Sequence, residues 1–342
     1  MTQSQSYTVT DPSQVSEVRR AANRLAIGLG FDEVGAGKVA LVATELATNL
    51  AKHATRGGQI LMQPLNRHTC LGLDLISIDS GPGMANAEDC ERDGFSSGSS
   101  PGTGLGSIRR QSSSLDIYTR GGAGTVLRAT LWAGGAPTPI FGPACCDFGA
   151  VSVAVAGEEV CGDGWEVNME AERATVLVVD GLGHGQGAYD ASRTAREAFR
   201  QRPNLGPTAM IEHLHEALRA SRGAALAVVE LRPFRDTLVY AGIGNISAAI
   251  LGDETPSRSL VSMSGIVGQQ IRRVQEFTYP WTPSSTLVMH SDGIGSHWNM
   301  ERLPGLLQRS PGVIAAAVYR DNVRSRDDAT VLVLKDRRMK GR

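Results

Sequence analysis

The chain has 342 residues, of which 41% are hydrophobic and 20% are charged. This length suits about two domains of roughly 100 to 200 residues each. Its 34 Lys and Arg residues nearly balance its 35 Asp and Glu residues, which excludes the bulk positive charge typical of nucleic-acid or membrane binding. The opening residues, MTQSQSYTVTD, lack a basic, apolar leader pattern, and no apolar run reaches membrane-spanning length. The five cysteines lack metal-binding spacing, so we expect reduced thiols in a soluble, cytoplasmic protein.

The first half of the chain combines helical and strand patterns. A helix is predicted to begin at Asp11 and Pro12, which form an N-cap signal, and to end at Gly30. The apolar spacing predicts a second helix over Gly37–Ala54. Further elements are strands over Ile60–Leu65, Leu71–Asp79, Leu115–Thr119 and Thr125–Trp132, and a helix over Ser107–Ser113.

Three features of this half can together bind a nucleotide. Glu45 and Asn49 share a helical face, where they can hold a water molecule and a divalent cation. Asp79, before Gly81 and Gly83, can accept a hydrogen bond from an adenine amino group. A later run can offer backbone N–H groups to phosphates: Gly102, Thr103, Gly104, Leu105 and Gly106. Each feature alone is common in helix faces, turns and flexible loops, so the prediction depends on their order and spacing.

In that order, the motifs ELATNLAKHA, DSGPGM and GTGLGSIRR resemble the GHKL ATP-binding fold, most closely the anti-sigma factor serine kinases of the RsbW and RsbT type. The resemblance covers about Ser13 to Trp132. It implies ATP with Mg²⁺, and places Asn49 on the metal, Asp79 on adenine and Glu45 as the catalytic base. It also assigns nucleotide contacts to Lys52, Gly81, Gly83, Gly102, Thr103, Gly104, Leu105, Gly106 and Thr125. A long serine-rich lid between Gly94 and Pro101 departs from the family pattern. It leaves two alternatives, a domain that transfers a phosphoryl group efficiently and a domain that only senses the nucleotide.

The segment from Ala133 to Pro143 is rich in proline and glycine and has no hydrophobic periodicity, which is typical of a short linker. A surface loop inside one large domain would have the same composition. The linker is favoured because the nucleotide motifs are complete before it and new motifs begin after it. The predicted organisation is an ATP-binding domain over 1–134, a linker over 135–146, a second domain over 147–336 and a basic tail over 337–342.

From Gly149 onward the pattern changes to short apolar strands. Thr175–Val179 is continuously apolar and β-branched, as expected of a strand that is buried on both faces. Helices are predicted over Ala188–Arg200 and Thr208–Ala220. Other strands are predicted over Ala150–Ala156, Trp165–Met169, Ala225–Leu231, Leu238–Ala241, Ala248–Leu251, Thr286–Met289 and Thr330–Leu334.

Acidic residues stand where these strands begin or end: Asp163 in CGDG, Asp180 in VDGLGHG, Asp292 in HSDGIG, and Asp327 with Asp328 in SRDDAT. Grouped carboxylates require cations, because like charges repel strongly when they are partly buried. Oxygen ligands favour Mg²⁺ or Mn²⁺, and two such ions roughly 3.5 to 4 Å apart can generate a hydroxide-like nucleophile for attack on phosphorus. One or two of these residues could instead be helix caps or turn residues.

These motifs resemble the metal-dependent PPM phosphatases, most closely the SpoIIE and RsbX branch, over about Gly149 to Lys335. The resemblance implies a two-metal site built from Asp163, Asp180, the Gly181 carbonyl, Asp292, Asp327 and Asp328. It assigns Asp180 to catalysis, and for His184 it leaves two roles, polarising the leaving group or holding the turn. Glu166 stands where the branch often has an aspartate, and no arginine matches a phosphate clamp.

The expected fold class is α+β, a GHKL-type ATP-binding α/β sandwich followed by a PPM-type α-β-β-α sandwich. The expected function is bifunctional. One domain dephosphorylates phosphoserine or phosphothreonine on a STAS-type anti-sigma antagonist or similar phosphoprotein, and the other phosphorylates a serine of a partner. The alternative is a first domain that only binds ATP or a partner, such as a sigma factor or an anti-sigma complex. ATP hydrolysis of the chaperone or repair type is less favoured because no transducer-type region follows. The sequence leaves the oligomeric state open, although domains of the first type often form homodimers, and we expect no binding of nucleic acid or membranes.

Overall fold

The computed structural model describes residues 3–67, 70–84, 104–135, 145–252, 257–296 and 298–337. These residues fall into two units, one ending at residue 135 and one beginning at residue 145. The linker bounds of 135–146 stay a prediction, because residues 136–144 lie outside the described residues. The predicted lid, and residues 338–342 of the predicted basic tail, lie outside them as well. Among the described helices, none is long and apolar enough to cross a membrane.

The first unit is a single antiparallel sheet packed against two long helices. Its strands are β1 (Gln5–Val9), β2 (Gly58–Arg67), β3 (Cys70–Asp79), β4 (Ser114–Thr119) and β5 (Thr125–Trp132), in the order β1-β2-β3-β5-β4. Its helices are α1 (Val15–Gly28), α2 (Glu33–His53) and α3 (Gly104–Gln111), with a 3-10 turn over Pro12–Gln14. Apolar residues of α1 and α2 pack on one face of the sheet, which gives the expected α/β sandwich.

Helix α2 begins four residues earlier than the sequence pattern predicted. Asp32 is its N-cap, and the Asp32 side chain accepts a hydrogen bond of 2.7 Å from the Gly35 N–H. The sequence pattern did not predict this first turn, because Gly35 and Gly37 have low helix propensity. Strand β1 was not predicted, and it lies at the sheet edge, where it pairs with β2 alone.

The second unit contains two five-stranded sheets. Their strand orders, in the labels whose ranges are given in the next sentence, are β15-β10-β9-β8-β7 for the first sheet and β12-β11-β16-β17-β6 for the second. The strands are β6 (Cys146–Val153), β7 (Asp163–Met169), β8 (Ala174–Gly181), β9 (Ala224–Arg232), β10 (Thr237–Ile243), β11 (Ser247–Leu251), β12 (Arg258–Ser259), β15 (Phe277–Pro280), β16 (Thr286–His290) and β17 (Ala329–Asp336), with a small hairpin of β13 (Gly265–Ile266) and β14 (Gln270–Ile271). The helices are α4 (Gln186–Gln201), α5 (Pro207–Ala217) and α6 (Pro311–Asn322), with 3-10 turns over Pro233–Arg235, Met300–Arg302 and Leu306–Gln308.

Strand β8 shows how the layers pack. Val176 and Val178 belong to the core between the two sheets, together with residues of β16 and β17. Leu177 and Val179 point the other way and pack under α4 and α5. This strand is therefore buried on both faces, as predicted. Because α6 covers the outer face of β6 and β17, the expected α-β-β-α sandwich is confirmed.

Helix α6 was not predicted, and it packs unusually close to the sheet. Its residues from Pro311 to Tyr319 are all buried, so it has no polar face to produce helical periodicity. A Cβ atom built on Gly149 of β6 would lie 2.3 Å from the backbone nitrogen of Gly312. The close contact between this helix and this strand therefore requires a glycine at position 149.

We predict that Gly149→Ala destabilises the second unit by about 3 kcal/mol, because neither backbone can move aside without disturbing the layers. The measurement is the urea midpoint of the full chain by tryptophan fluorescence, to which this unit contributes Trp165, Trp281 and Trp298 and the first unit contributes Trp132. Gly206→Ala is the matched control, because a Cβ there meets no atom within 4 Å. The control should stay within about 1 kcal/mol of wild type, and equal midpoints for the two variants would contradict the packing argument.

Candidate nucleotide and metal sites

In the first unit, two predicted site residues on α2 lie against the start of α3. Glu45 and Asn49 are both half-buried. A Cβ atom built on Gly104, the first residue of α3, would lie 3.1 Å from Glu45 Oε2 and 3.7 Å from Asn49 Oδ1. A larger residue at position 104 would crowd these side chains. The N-terminus of α3, which favours phosphate groups, is thereby brought beside a carboxylate and an amide.

Asp79 ends strand β3 and begins a tight turn. One of its oxygens accepts a hydrogen bond of 2.7 Å from the Gly81 N–H. The turn is tied to the β4–β5 hairpin, because the Met84 N–H donates to Thr119 Oγ1, which lies 3.1 Å from Thr125 Oγ1. Thr125 itself pairs directly with Asp79 across the β3–β5 ladder. The adenine-binding residue and the late threonine of the sequence analysis are therefore neighbours.

The turn after Asp79 also lies close to the end of α2. A Cβ atom on Gly81 would come within 3.3 Å of the Ala54 Cα, which follows α2 directly. Ala54 is five residues after Asn49, or about 7.5 Å along the helix. The turn after the predicted adenine residue therefore lies near the C-terminal end of the helix that carries the predicted metal residue.

The remaining predicted nucleotide contacts vary in exposure. Lys52 is exposed one turn after Asn49, whereas within α3 Gly106 is buried and Leu105 is half-buried. Gly83 has a φ of +68°, and a Cβ atom there would lie 2.1 Å from the Arg120 carbonyl oxygen. Gly102 and Thr103 lie outside the described residues.

In the second unit, the β7–β8 ladder places two acids directly opposite each other. Asp163 and Asp180 are register partners, so their side chains leave the same face of the sheet. Burial, and to a smaller extent the charge of Asp328, raises the pKa of Asp163 to about 7. Burial and the charges of Asp163 and Asp292 raise the pKa of Asp180 to about 9. Burial and mutual repulsion therefore disfavour two negative charges on this pair, and a bound cation would offset that cost.

A serine connects this pair to the second sheet. Ser291, which is fully buried after β16, donates a hydrogen bond of 2.6 Å to Asp163 Oδ2. The Thr330 N–H of β17 donates to the same serine oxygen at 3.0 Å. Asp292 and Asp327 flank this bridge, and burial followed by the charge of Asp327 raises the pKa of Asp292. The acids of both sheets therefore meet at one edge of the sandwich.

Asp328 holds the backbone that carries Asp163. Its two carboxylate oxygens accept hydrogen bonds of 2.7 Å from the N–H groups of Val155 and Gly162. Burial raises its pKa, and these two hydrogen bonds oppose that effect. The motif glycines permit this contact, because a Cβ atom on Gly162 would lie 2.8 Å from Asp328 Oδ2, and one on Gly293 would lie 1.9 Å from the Asp328 carbonyl oxygen. Asp328 thus has a positioning contact, and its role as a direct ligand stays a prediction, as does that of the Gly181 carbonyl.

The donor chemistry fits Mg²⁺ or Mn²⁺. Asp163, Asp180, Asp292 and Asp327 offer oxygen only, and the half-buried Asp180 carboxylate faces other carboxylates. Within the part of the chain that the structure describes, no three His, Cys, Asp or Glu side chains converge closely enough to enclose one ion. Mg²⁺ usually binds through one or two carboxylates and keeps several water ligands. Ions that are each held by two carboxylates and several water molecules would fit both the oxygen-only donors and the lack of a closer cluster among the described residues.

His184 pairs with a residue that the sequence analysis missed. Its Nδ1 lies 2.7 Å from Glu158 Oε1, and the His184 side chain is 59% exposed. A Cβ atom on Gly185 would come within 2.9 Å of the same carboxylate. Glu158 stands in a loop before CGDG, where no motif marks it. Glu166 forms an ion pair with Arg200 of α4.

Several other polar residues border the acids, and the sequence analysis assigned no contact to any of them. Asn245, in the AGIGN segment, donates a hydrogen bond of 2.7 Å to Asp292 Oδ2. Arg324 Nη1 donates to the Asp292 carbonyl oxygen at 3.3 Å, and Arg326 precedes Asp327. The Arg222 guanidinium lies against the glycine turn, since a Cβ atom on Gly187 would be 2.5 Å from its Nε. Arg222 and Arg324 come to the glycine turn and to Asp292 only through the fold, whereas Arg326 is the sequence neighbour of Asp327.

Comparison with known families accounts for both units. The family described as the histidine kinase-like ATPase domain matches residues 8–131. The family described as stage II sporulation protein E, SpoIIE, matches residues 170–337. Both resemblances expected from the motifs are thereby confirmed.

Two relatives come from Bacillus subtilis strain 168. The serine/threonine-protein kinase RsbT is 30% identical over 114 residues, which cover 33% of this chain and 85% of RsbT. The phosphoserine phosphatase RsbX is 21% identical over 138 residues, which cover 40% of this chain and 69% of RsbX. The two relatives thus correspond to a kinase and a phosphatase.

Solved structures support the fold. A chain from a study of the bacterial stressosome, described as a modular system adapted to control secondary messenger signalling, is 24% identical with a TM-score of 0.52, and the match covers 56% of this chain and 99% of that one. RsbX, solved in complex with magnesium, is 20% identical with a TM-score of 0.50, and the match covers 55% of this chain and 93% of that one. With these matches, the chain belongs to the histidine kinase-like ATPase family through its first unit, and its second unit is a SpoIIE-type serine/threonine phosphatase domain of the PPM class.

Proposed function

We propose that this protein writes and erases one regulatory phosphorylation, with a phosphatase that hydrolyses phosphoserine or phosphothreonine on a STAS-type anti-sigma antagonist. The observation that carries the phosphatase assignment is the meeting of Asp163, Asp180, Asp292 and Asp327 at one edge of the two sheets. The proposed organisation is a domain over 1–134, a linker over 135–146 and a second domain over 147–336. The names of the two relatives, a phosphoserine phosphatase and a protein kinase, support opposing chemistry in one chain.

In this mechanism, Asp163, Asp180, Asp292 and Asp327 would hold two divalent cations, Mg²⁺ or Mn²⁺. When bound, such ions supply Lewis acidity for in-line attack of water on phosphorus. The chain's own contribution is to hold the carboxylates in position. Ser291 fixes one oxygen of Asp163, Asn245 fixes one oxygen of Asp292, and Asp328 fixes the loop before Asp163. Rigid support of this kind is what positioned ligands require.

In the first domain, we propose that ATP and Mg²⁺ bind beside Glu45 and Asn49, and that Glu45 is the base for transfer to a partner serine. The contact of Gly104 with both residues supports this site, because it brings a helix N-terminus to a carboxylate and an amide. The 30% identity with RsbT supports a kinase over a binding module. A domain that only binds ATP or sequesters a partner would keep the pocket and lack the transfer.

The phosphatase proposal predicts that phosphate release from a phosphoserine protein needs Mn²⁺ or Mg²⁺ and stops in EDTA. Asp180→Asn should lower kcat by more than about 100-fold, since loss of a direct ligand should exceed the 10- to 100-fold effect of outer residues. Malachite-green detection of released phosphate provides the measurement. Asp190→Asn, an exposed acid of α4, is the control and should retain wild-type kcat. Equal activity of the two variants, or activity in EDTA, would refute the assignment.

The kinase proposal predicts that Glu45→Gln loses phosphoryl transfer but keeps ATP binding, because the amide retains the shape of the side chain and cannot act as a base. Transfer is measured with γ-³²P-ATP and a co-purified partner, and binding is measured with a fluorescent ATP analogue. Glu17→Gln on α1 is the control for loss of a carboxylate elsewhere in the domain. If wild type binds ATP and labels no partner, the first domain is a binding module.

The contact of His184 with Glu158 supports a role in holding the turn. We therefore predict that His184→Asn lowers kcat by at most about fivefold, against the 10²- to 10⁴-fold typical of a lost general acid. The diagnostic measurement uses phenyl phosphates with leaving groups of different pKa. A loss that grows with leaving-group pKa would instead identify His184 as the acid.

A further inference from the structure

A cavity of about 540 Å³ lies beside two of the acids in the second unit. It is lined by Asp292, Val323, Arg324, Ser325, Arg326 and Asp327. A pocket of this size has room for several groups of a ligand and not only for one phosphoryl group. Because Asp292 and Asp327 form part of its wall, a substrate whose phosphoryl group reaches the acids would place its neighbouring residues in this cavity.

The loop that forms this cavity is held firmly. The Arg324 N–H donates a hydrogen bond of 2.7 Å to the Gly293 carbonyl, and the Gly295 N–H donates to the Asn322 carbonyl at 2.8 Å. Val323 also forms an isolated bridge with Ile294. The start of this loop, at Val323 and Arg324, is therefore fixed against the turn that carries Asp292, and Arg326 follows two residues later.

The two arginines of the cavity differ in their partners. The Arg324 guanidinium donates to the Asp292 carbonyl oxygen at 3.3 Å. Arg326 is exposed, and within the described ranges its guanidinium has no hydrogen-bond or carboxylate partner. An arginine in this state can form a bidentate contact with a carboxylate. The adjacent side chain of Val323, which is 42% exposed, offers an apolar surface to the stem of such a ligand.

We propose that Arg326, with Arg324 beside it, selects phosphoproteins that carry an aspartate or glutamate close to the phosphorylated residue. The charge of the cavity supports an acidic ligand. Asp292 and Asp327 balance the two arginines in the bare chain, and cations at the acids leave the arginines as uncompensated positive charge. This inference rests on the proposed phosphatase function and adds a sequence preference to it.

The test uses two phosphoserine peptides of equal length, one with glutamate on both sides of the phosphoserine and one with glutamine. Both carry a non-hydrolysable phosphonate, so that affinity is measured by fluorescence anisotropy without turnover, in Mn²⁺ with the full chain. Wild type should bind the glutamate peptide about 3- to 10-fold more tightly, as expected for a partly exposed arginine–carboxylate contact. In Arg326→Gln that ratio should fall below about 2, and in wild type it should shrink with added salt.

Arg235→Gln is the matched control, because Arg235 is also an exposed arginine. It follows the C-terminal end of β9, whereas the end of β9 near the acids begins at Ala224, the register partner of Gly181. This variant should keep the wild-type preference and unfold at the same urea concentration as Arg326→Gln.

Equal affinity of wild type for both peptides would overturn the inference. So would a preference that survives in Arg326→Gln, or an equal loss of affinity for both peptides, since Arg326 would then bind the phosphoryl group itself. Phosphate release from the hydrolysable peptides is measured separately, and its absence would refute the phosphatase proposal while the binding ratio still decides this one.

Discussion

The opposition of Asp163 and Asp180 across the β7–β8 ladder is the constraint on which the second unit depends. Two like charges at directly opposed positions destabilise a sheet, and burial increases the cost. The fold tolerates the pair because the surrounding strands are rigid and apolar on both faces, as β8 shows with Val178 on one side and Leu177 on the other. The acids therefore lower the stability of the fold at the edge where they meet, and the apolar packing of the layers behind that edge compensates for the loss.

The two units build their sites in different ways. In the first unit, α2 carries Glu45 and Asn49, and α3 begins directly against them, so one helix organises the site. In the second unit, the acids come from strand ends separated by more than half of the domain's sequence and are joined through the buried Ser291. A site assembled from distant segments depends on the register of every intervening strand. The metal site should therefore be more sensitive than the nucleotide site to changes in the packing of its domain.

Sequence patterns predicted the parts of this structure that have a local cause. The apolar run Thr175–Val179 lies within β8 and β5 matches its predicted bounds, while Asp163, Asp180 and Asp292 are marked by adjacent glycines. Helix α6 was not predicted, because burial on all sides removes its hydrophobic periodicity. The first turn of α2 was not predicted, because its glycines have low helix propensity. Glu158 had no local signal, and the motifs that contain Ser291 and Asn245 did not indicate the contacts of these two side chains. Their contacts form only when distant segments pack, which no short pattern records.

The central claim is that the grouped acids destabilise the second unit until divalent cations bind. The direct measurement is the thermal unfolding midpoint of chelator-treated protein, with and without Mn²⁺, for wild type and Asp180→Asn. Wild type should gain about 2.7 kcal/mol of stability at a Mn²⁺ concentration 100 times its dissociation constant. Asp180→Asn should unfold at a higher temperature than wild type without metal and gain less from Mn²⁺. A metal-free Asp180→Asn variant that is less stable than wild type, together with no response of wild type to Mn²⁺, would contradict the account.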